Sequence, residues 1–338
     1  MPAASGYHPG TMHDHLPQER LTPGEAEAIA QAAERLRSSI ERVIVGHRDV
    51  IDLVLVALLC EGHILLEDVP GTGKTTLAKA IARSLDCTFR RIQFTPDLMP
   101  SDITGITYYN QKLGEFVFRE GPLLAQVVLA DEVNRATPRT QAALLEAMEE
   151  RQLTVEGETI RMPAPFIVIA TQNPIELEGT FPLPEAQLDR FLLRLRLGYP
   201  GEDDEDRILE RFEAASPLEE LQPVLDGPAV LDLAHRLQRL YVAPPVRRYI
   251  VRLVQETRTE PALELGGSPR ATLALFRAAR AKAALSGRDY VLPDDAKALF
   301  PHVLGHRVIL STQSRLRGRD VDALLADVVE RVPAPVEG

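Results

Sequence analysis

The chain has 338 residues, 45% apolar and 26% charged, which is enough for two domains with substantial cores and ordinary for a soluble globular protein. Its net charge of −11 weighs against a broad nucleic-acid surface, because neutralising a phosphate backbone needs clustered Lys and Arg, and leaves room only for local basic pores. Cys60 and Cys87 cannot build a disulfide framework, no apolar run approaches the ~18 residues of a membrane span, and the first twenty residues lack the apolar segment of a signal peptide, so a reducing cytoplasm is the expected setting.

Residues 1–20 read as a flexible polar tail, with a metal-binding tract at His8, His13 and His15 as the competing reading. A helix starts at Pro23, capped by Thr22, and runs to about Arg42. Val43-Ile44-Val45-Gly46-His47 leads into an apolar helix at 51–60. The apolar run Ile64-Leu65-Leu66 then feeds Glu67-Asp68-Val69-Pro70-Gly71-Thr72-Gly73-Lys74-Thr75-Thr76, and a helix leaves from Leu77. In that strand, loop and helix context the segment reads as a phosphate-binding loop. Gly71 and Gly73 let backbone N–H groups turn inward, with Pro70, Thr72 and Thr76 completing the cradle; Lys74 reaches the outer phosphates and Thr75 offers a hydroxyl to Mg²⁺. One departure stands out: the pattern G-x-x-x-x-G-K-[ST] puts its first glycine where Asp68 lies. A carboxylate there either points away from the phosphates or repels them.

Short apolar runs at 89–94, 127–130 and 166–170 alternate with helices, as parallel strands buried on both faces do, and predict a doubly wound α/β core. The run at 127–130 ends in Asp131-Glu132, where Asp131 can hold the Mg²⁺ shell and Glu132 can polarise an attacking water. The run at 166–170 ends in Thr171-Gln172-Asn173-Pro174; Asn173 can bond both a γ-phosphate and that water, or simply open a turn. Two hairpins are expected, at 105–118 and 152–161. In the first, Tyr108 and Tyr109 are open to two readings, strand packing or aromatic grip on a substrate. From about Asp226 onward strand signals vanish and helices are expected at 229–240, 245–256, 269–285, 293–300 and 320–332. The expected division is a core at 21–205, a linker at 206–226, a helical domain at 227–333 and a short tail at 334–338.

Lys74-Thr75, the segment Asp131 to Arg135, Thr171 to Pro174, Leu183-Pro184-Glu185-Ala186-Gln187-Leu188-Asp189-Arg190-Phe191 and Ser268-Pro269-Arg270-Ala271 occur in the order seen in AAA+ ATPases. Residues 141–151, 176–191 and 287–299 resemble specifically the MoxR-type members, and the resemblance spans about 21–333. It implies an AAA+ P-loop core, an α/β/α sandwich on a parallel sheet, with a C-terminal all-helical lid. It further implies a ring, commonly a hexamer, with ATP and Mg²⁺ at the subunit interfaces. Matched to the family's motifs, Asn173 corresponds to sensor 1 and Arg270 to sensor 2, closing the lid onto the γ-phosphate of its own subunit. Arg190 corresponds to the arginine finger inserted into a neighbour, with Arg135 and Arg194 as weaker candidates. Val45-Gly46 resembles the adenine-side motif, in which His47 replaces the usual glutamine. The implied activity is ATP-driven remodelling or maturation of protein clients, cofactor or metal insertion included, with a partner bearing a von Willebrand factor A domain. Two rivals keep the same ATP chemistry: a nucleic-acid motor, against which the net charge and the few basic hairpin residues (Lys112, Arg161) weigh, and a metal-chelatase motor subunit.

Overall fold

The computed structural model describes residues 19–173, 179–212 and 217–335. The tail to residue 18 with its three histidines, Pro174 in the Asn-Pro turn and the end of the C-terminal tail lie outside the described residues. The chain begins with α1 (Pro23–Glu41) and α2 (Arg48–Leu59). The core follows as β1 (His63–Glu67), α3 (Lys74–Ser84), β2 (Phe89–Gln93), α4 (Pro100–Thr104), the hairpin β3 (Gly105–Asn110) and β4 (Glu115–Glu120), β5 (Val127–Asp131), a 3-10 turn (Val133–Arg135) and α5 (Pro138–Glu150). It continues through a second hairpin, β6 (Gln152–Val155) and β7 (Glu158–Arg161), to β8 (Ile167–Gln172), α6 (Glu185–Leu188) and β9 (Phe191–Leu195). After α7 (Glu202–Phe212) come α8 (Gly227–Leu237), α9 (Pro244–Thr259), β10 (Leu263–Leu265), α10 (Pro269–Leu285), α11 (Pro293–Leu304), β11 (Ile309–Leu310), α12 (Thr312–Leu316) and α13 (Val321–Arg331).

The capping signal at the start of α1 is realised in full: the Thr22 hydroxyl accepts from the Glu25 N–H at 3.3 Å and the Glu25 carboxylate accepts from the Thr22 N–H at 2.9 Å. Five parallel strands form the central sheet in the order β2-β5-β8-β1-β9. β1, β5 and β8 lie inside it, and their continuous apolar runs are buried on both faces, as such strands require. Four of the five strands are those expected. The fifth, β9, carries Arg194 within its apolar run; it pairs in parallel with β1, and the buried Arg194 meets the carboxylates of Asp322 and Glu67. Cys60 and Cys87 are both free, and burial pushes their thiols up to about 12 and about 11. Among the described residues no helix is long and apolar enough to cross a membrane.

The helical lid carries one feature beyond the expected helices, a short antiparallel pairing of β10 with β11. Its attachment to the sheet joins a shared apolar core, in which Leu193 and Leu195 belong to one buried cluster with Leu299, Phe300 and Val303, to a set of buried polar contacts. Arg307, just past α11, pairs with the Asp189 carboxylate at 2.5 Å and donates to the carbonyls of Leu192 and Phe191 at 3.1 and 2.5 Å, while a ring nitrogen of His306 bonds the Phe191 carbonyl at 2.9 Å. These groups are buried, so each would be costly to leave without its partner.

His63, the first residue of β1, is likewise built into the core. Its Nδ1 accepts from the Val168 N–H at 3.0 Å and its Nε2 bonds the Met148 carbonyl at 3.1 Å, an arrangement that needs the neutral ring. Burial, helped by the charge of Arg151, pulls its pKa from 6.5 down to about 3. Because the folded value lies below the unfolded one, its stabilising contribution is complete above about pH 6.5 and falls away as the pH drops toward 3. Between pH 7 and pH 5 the loss should be on the order of 1–2 kcal/mol from this residue. Urea titrations at the two values, repeated on His63→Phe, check it. An equal pH slope in the variant would contradict the assignment.

Candidate active site

The order of the sheet sets β5, β8 and β1 side by side, so their C-terminal ends bring three separate segments together. A cleft of about 260 Å³ opens there, lined by Pro70, Gly71, Gly73, Lys74, Thr75 and Thr76 from the loop, Asp131 and Glu132 after β5, and Thr171 and Asn173 at the end of β8. Arg91 and Gln93 of β2 complete it. Gly71 and Gly73 have φ of +88° and +86°, the left-handed region that admits glycine without penalty, and a Cβ on either would meet no atom within 4 Å. The loop therefore surrounds open space, and its backbone and the first turn of α3 face the same cleft. Lys74 Nζ donates to the carbonyls of Asp68 and Val69, each at 3.0 Å, which holds the ammonium beside the loop. Thr72 is buried, with its hydroxyl on the Val69 carbonyl, and it does not line the cleft.

Asp68 points away from this space. Its Oδ2 accepts from the N–H groups of Leu197 and Gly198, both at 2.8 Å, and its Oδ1 from the Val69 N–H at 2.9 Å. The carboxylate thus ties the start of the phosphate loop to the chain leaving β9, and the departure from the glycine pattern has a structural use. Asp68→Gly, although it would restore the pattern, should destabilise the fold by about 2 kcal/mol or more, since it strands buried donors that now meet a charged acceptor. Chemical denaturation reads this directly. A variant as stable as the parent would refute the tie.

The acidic pair is held by a closed set of bonds. The Thr171 hydroxyl donates to Asp131 Oδ1 at 2.6 Å and accepts from the Glu132 N–H at 2.8 Å. Arg91 donates to Asp131 Oδ2 at 2.6 and 3.1 Å and to Gln93 Oε1 at 2.7 Å, and Gln93 Nε2 donates to Glu132 Oε2 at 2.7 Å. Arg135 Nε stands 3.0 Å from the same Glu132 oxygen. Glu132 has φ of +56°, a conformation that costs a residue with a side chain about 1 kcal/mol or more and recurs where function demands it. Arg91, Gln93 and the use made of Thr171 are absent from the sequence reading. Only the pairing Gln93 with Asp131 across β2 and β5 brings them in.

Arg190 and Arg270 stand elsewhere. Arg190 immediately precedes Phe191, which pairs with His63 at the beginning of β1, whereas the phosphate loop follows the end of that strand. Five residues at about 3.3 Å each separate the two ends by roughly 15 Å. Glu149, near the end of α5, meets both arginines: Arg190 Nε is 3.3 Å from its Oε2, and Arg270 donates to its Oε1 at 2.5 Å. The expectation that Arg270 closes over the γ-phosphate of its own subunit is therefore corrected: its guanidinium meets Glu149 beside Arg307 and Asp189, at the opposite end of the sheet from the phosphate loop. This second cleft, about 380 Å³, also presents Arg151 and Arg277. Arg194 is committed to Asp322 and Glu67. Val45 is buried and Gly46 lies against Asp204; neither lines the phosphate cleft, and His47 begins α2 without a side-chain cap bond.

A phosphate loop, an acidic strand end, a polar strand end between them and a helical lid define an AAA+ ATPase. Residues 63–193 match the ATPase family associated with various cellular activities (AAA), and residues 255–328 match the AAA lid domain. Among relatives, the uncharacterized protein YeaC of Bacillus subtilis is 49% identical over 88% of this chain and 93% of its own length. Chaperone MoxR1 of Mycobacterium tuberculosis is 40% identical over 98% of this chain and 91% of its own. A Cytophaga hutchinsonii crystal structure of the ATPase class superposes with a TM-score of 0.87 at 35% identity, covering 93% of this chain and 98% of that one. The chain belongs to the MoxR family of AAA+ ATPases.

Proposed function

We propose that the protein hydrolyses ATP with Mg²⁺ in a ring, as a hexamer, and uses the energy to remodel or mature protein clients in the cytoplasm, cofactor or metal insertion included. One observation carries the ring: the cleft holding Lys74, Thr75, Asp131 and Glu132 and the arginines suited to complete it lie at opposite ends of one sheet. A subunit of this design is whole only beside another copy. In the proposed reaction Lys74 leaves the carbonyls of Asp68 and Val69 for the outer phosphates, and the loop N–H groups hold the β-phosphate. The Thr75 hydroxyl and the Asp131 carboxylate would hold Mg²⁺, which would supply charge neutralisation at the phosphates. Glu132 orients a water toward the γ-phosphorus and takes its proton as the bond to the leaving ADP oxygen breaks, while Asn173 aligns that water. Val45 and Gly46 serve the adenine through their backbone. Residues 21–205 act as the core, 206–226 as the linker and 227–333 as the lid. ATPase rate per subunit, followed across a dilution series alongside sedimentation, tests the ring: a monomer that hydrolyses ATP at full rate would sink it.

The protein client is the reading favoured by the hairpins. On the first, Ile106, Tyr108, Tyr109, Leu113 and Phe116 are all exposed, with the Tyr109 and Phe116 rings edge to face at 5.3 Å across the strands. Such a surface offers sequence-tolerant apolar contact to a polypeptide, and a von Willebrand factor A domain is one partner of the proposed complex. Replacing Tyr108 and Tyr109 by alanine should abolish the client-stimulated part of the ATPase rate. Stacking on single-stranded bases is also open to tyrosine, and a titration with DNA or RNA at rising salt separates the two. Tight binding that weakens steeply with salt, together with stimulation by nucleic acid, would replace the chaperone reading with a nucleic-acid motor.

A further inference from the structure

We infer that Glu149 is a positioning residue for hydrolysis in the neighbouring subunit: its carboxylate holds Arg190 and Arg270 together as one unit, presented from the far end of the sheet. The inference rests on the proposed action of these arginines across a subunit interface. Two guanidinium groups brought to one place repel each other, and Arg307 adds a third cation, whose pKa is lowered by burial first and by the charge of Arg270 after it. Three carboxylates line this cleft, and Glu61 faces Arg151 at 3.9 Å. Asp189 is already committed, to Arg307 at 2.5 Å and to the Ser268 hydroxyl at 3.1 Å. Glu149 is left for the other two arginines, and it spends one oxygen on each. Among the described residues no other acid pairs with Arg190 or Arg270.

The three side chains come from three separate places: Glu149 from the last turn of α5, Arg190 from the residue before β9, and Arg270 from the first turn of α10 in the lid. Without the shared carboxylate, Arg270, whose side chain is 57% exposed, has nothing to hold it against the core. Arg190 Nε is buried and lies 3.3 Å from Glu149 Oε2 without hydrogen-bonding alignment, so charge attraction and not a directed bond keeps the guanidinium there. The carrier is stiff. α5 begins just after the turn that follows Glu132, with Gln141 donating to the carbonyls of Val133 and Phe181, and ends at the arginine pair. Glu149 therefore sits at a fixed distance from its own subunit's acidic pair while serving the next.

Glu149→Gln keeps the volume and removes the charge. Displacing a charged catalytic group by about 1 Å can cost about a hundredfold in rate, so kcat should fall at least about tenfold in both Glu149→Gln and Glu149→Ala, with KM for ATP changed less than about twofold because the phosphate loop is untouched. The decisive readout is complementation. Glu149→Gln subunits, whose own phosphate loop is intact, are mixed with Lys74→Ala subunits, whose arginine cluster is intact; activity should return, because each Glu149→Gln cleft can now face a correctly held pair. Arg190→Ala mixed with Lys74→Ala is the parallel control, with mixed rings verified by native mass spectrometry. If Glu149→Gln keeps the parent kcat, or its defect persists in mixed rings that rescue Arg190→Ala, the positioning role is overturned and Glu149 serves only its own subunit. If Arg190→Ala is not rescued in verified mixed rings, the reading of a site shared between subunits fails, and this inference with it.

Discussion

Glu132→Gln should bind ATP as tightly as the parent and hydrolyse it about 10²–10⁴ times more slowly, the range that a positioned general base contributes. Lys74→Ala should fail at the earlier step and lose productive nucleotide binding. The two outcomes differ because the residues stand on different segments of the cleft: Lys74 opens α3 beneath the loop, and Glu132 follows β5 on the other side of β8. Glutamine preserves the acceptor that Gln93 and Arg135 now meet, so the local bonds survive while the base is lost. Binding of a fluorescent ATP analogue and single-turnover hydrolysis separate the effects. Equal hydrolysis by Glu132→Gln and the parent would remove Glu132 from the mechanism. With slow hydrolysis in hand, the same variant becomes a trap, and proteins retained on it in the presence of ATP identify the clients.

Arg190→Ala should lower the rate of the assembled protein by about 10³–10⁵, the worth of an arginine finger, with ATP binding retained. The size of the effect comes from charge developing on the transferring phosphoryl group, where a guanidinium in a dry interface acts in a low dielectric. Because Arg190 stands at the start of β9 and the phosphate loop at the end of β1, the loss is expected to fall on the adjacent subunit's cleft in the proposed ring. Mixing Arg190→Ala with Lys74→Ala subunits should accordingly restore part of the rate although neither alone is active. A stoichiometric series of verified mixed rings that stays inactive throughout would count against action across the interface.

What the sequence by itself determined is everything carried by contiguous residues. Phosphate loop, acidic strand end and polar amide end are each short segments whose chemistry follows from local backbone preference: glycines at positive φ, an apolar run buried on both faces, carboxylates where the chain leaves the core. Four sheet strands, the helical lid and both hairpins were legible for the same reason, since period and turn residues act over a few positions. Only the tertiary structure decided the rest. The direction of the Asp68 carboxylate depends on Leu197 and Gly198, some 130 residues away in the chain. The joining of Arg91 and Gln93 to the acidic pair depends on β2 lying beside β5, and the buried Arg194 of β9 is matched by Asp322 and Glu67 from two other segments. The motif at Arg270 names a residue and not a place: Glu149 holds its guanidinium beside Asp189 and Arg307, at the other end of the sheet from the phosphate loop. Charge pairs between distant segments leave no periodic mark on the chain, because their geometry exists only after strand order and helix packing have brought the partners within reach.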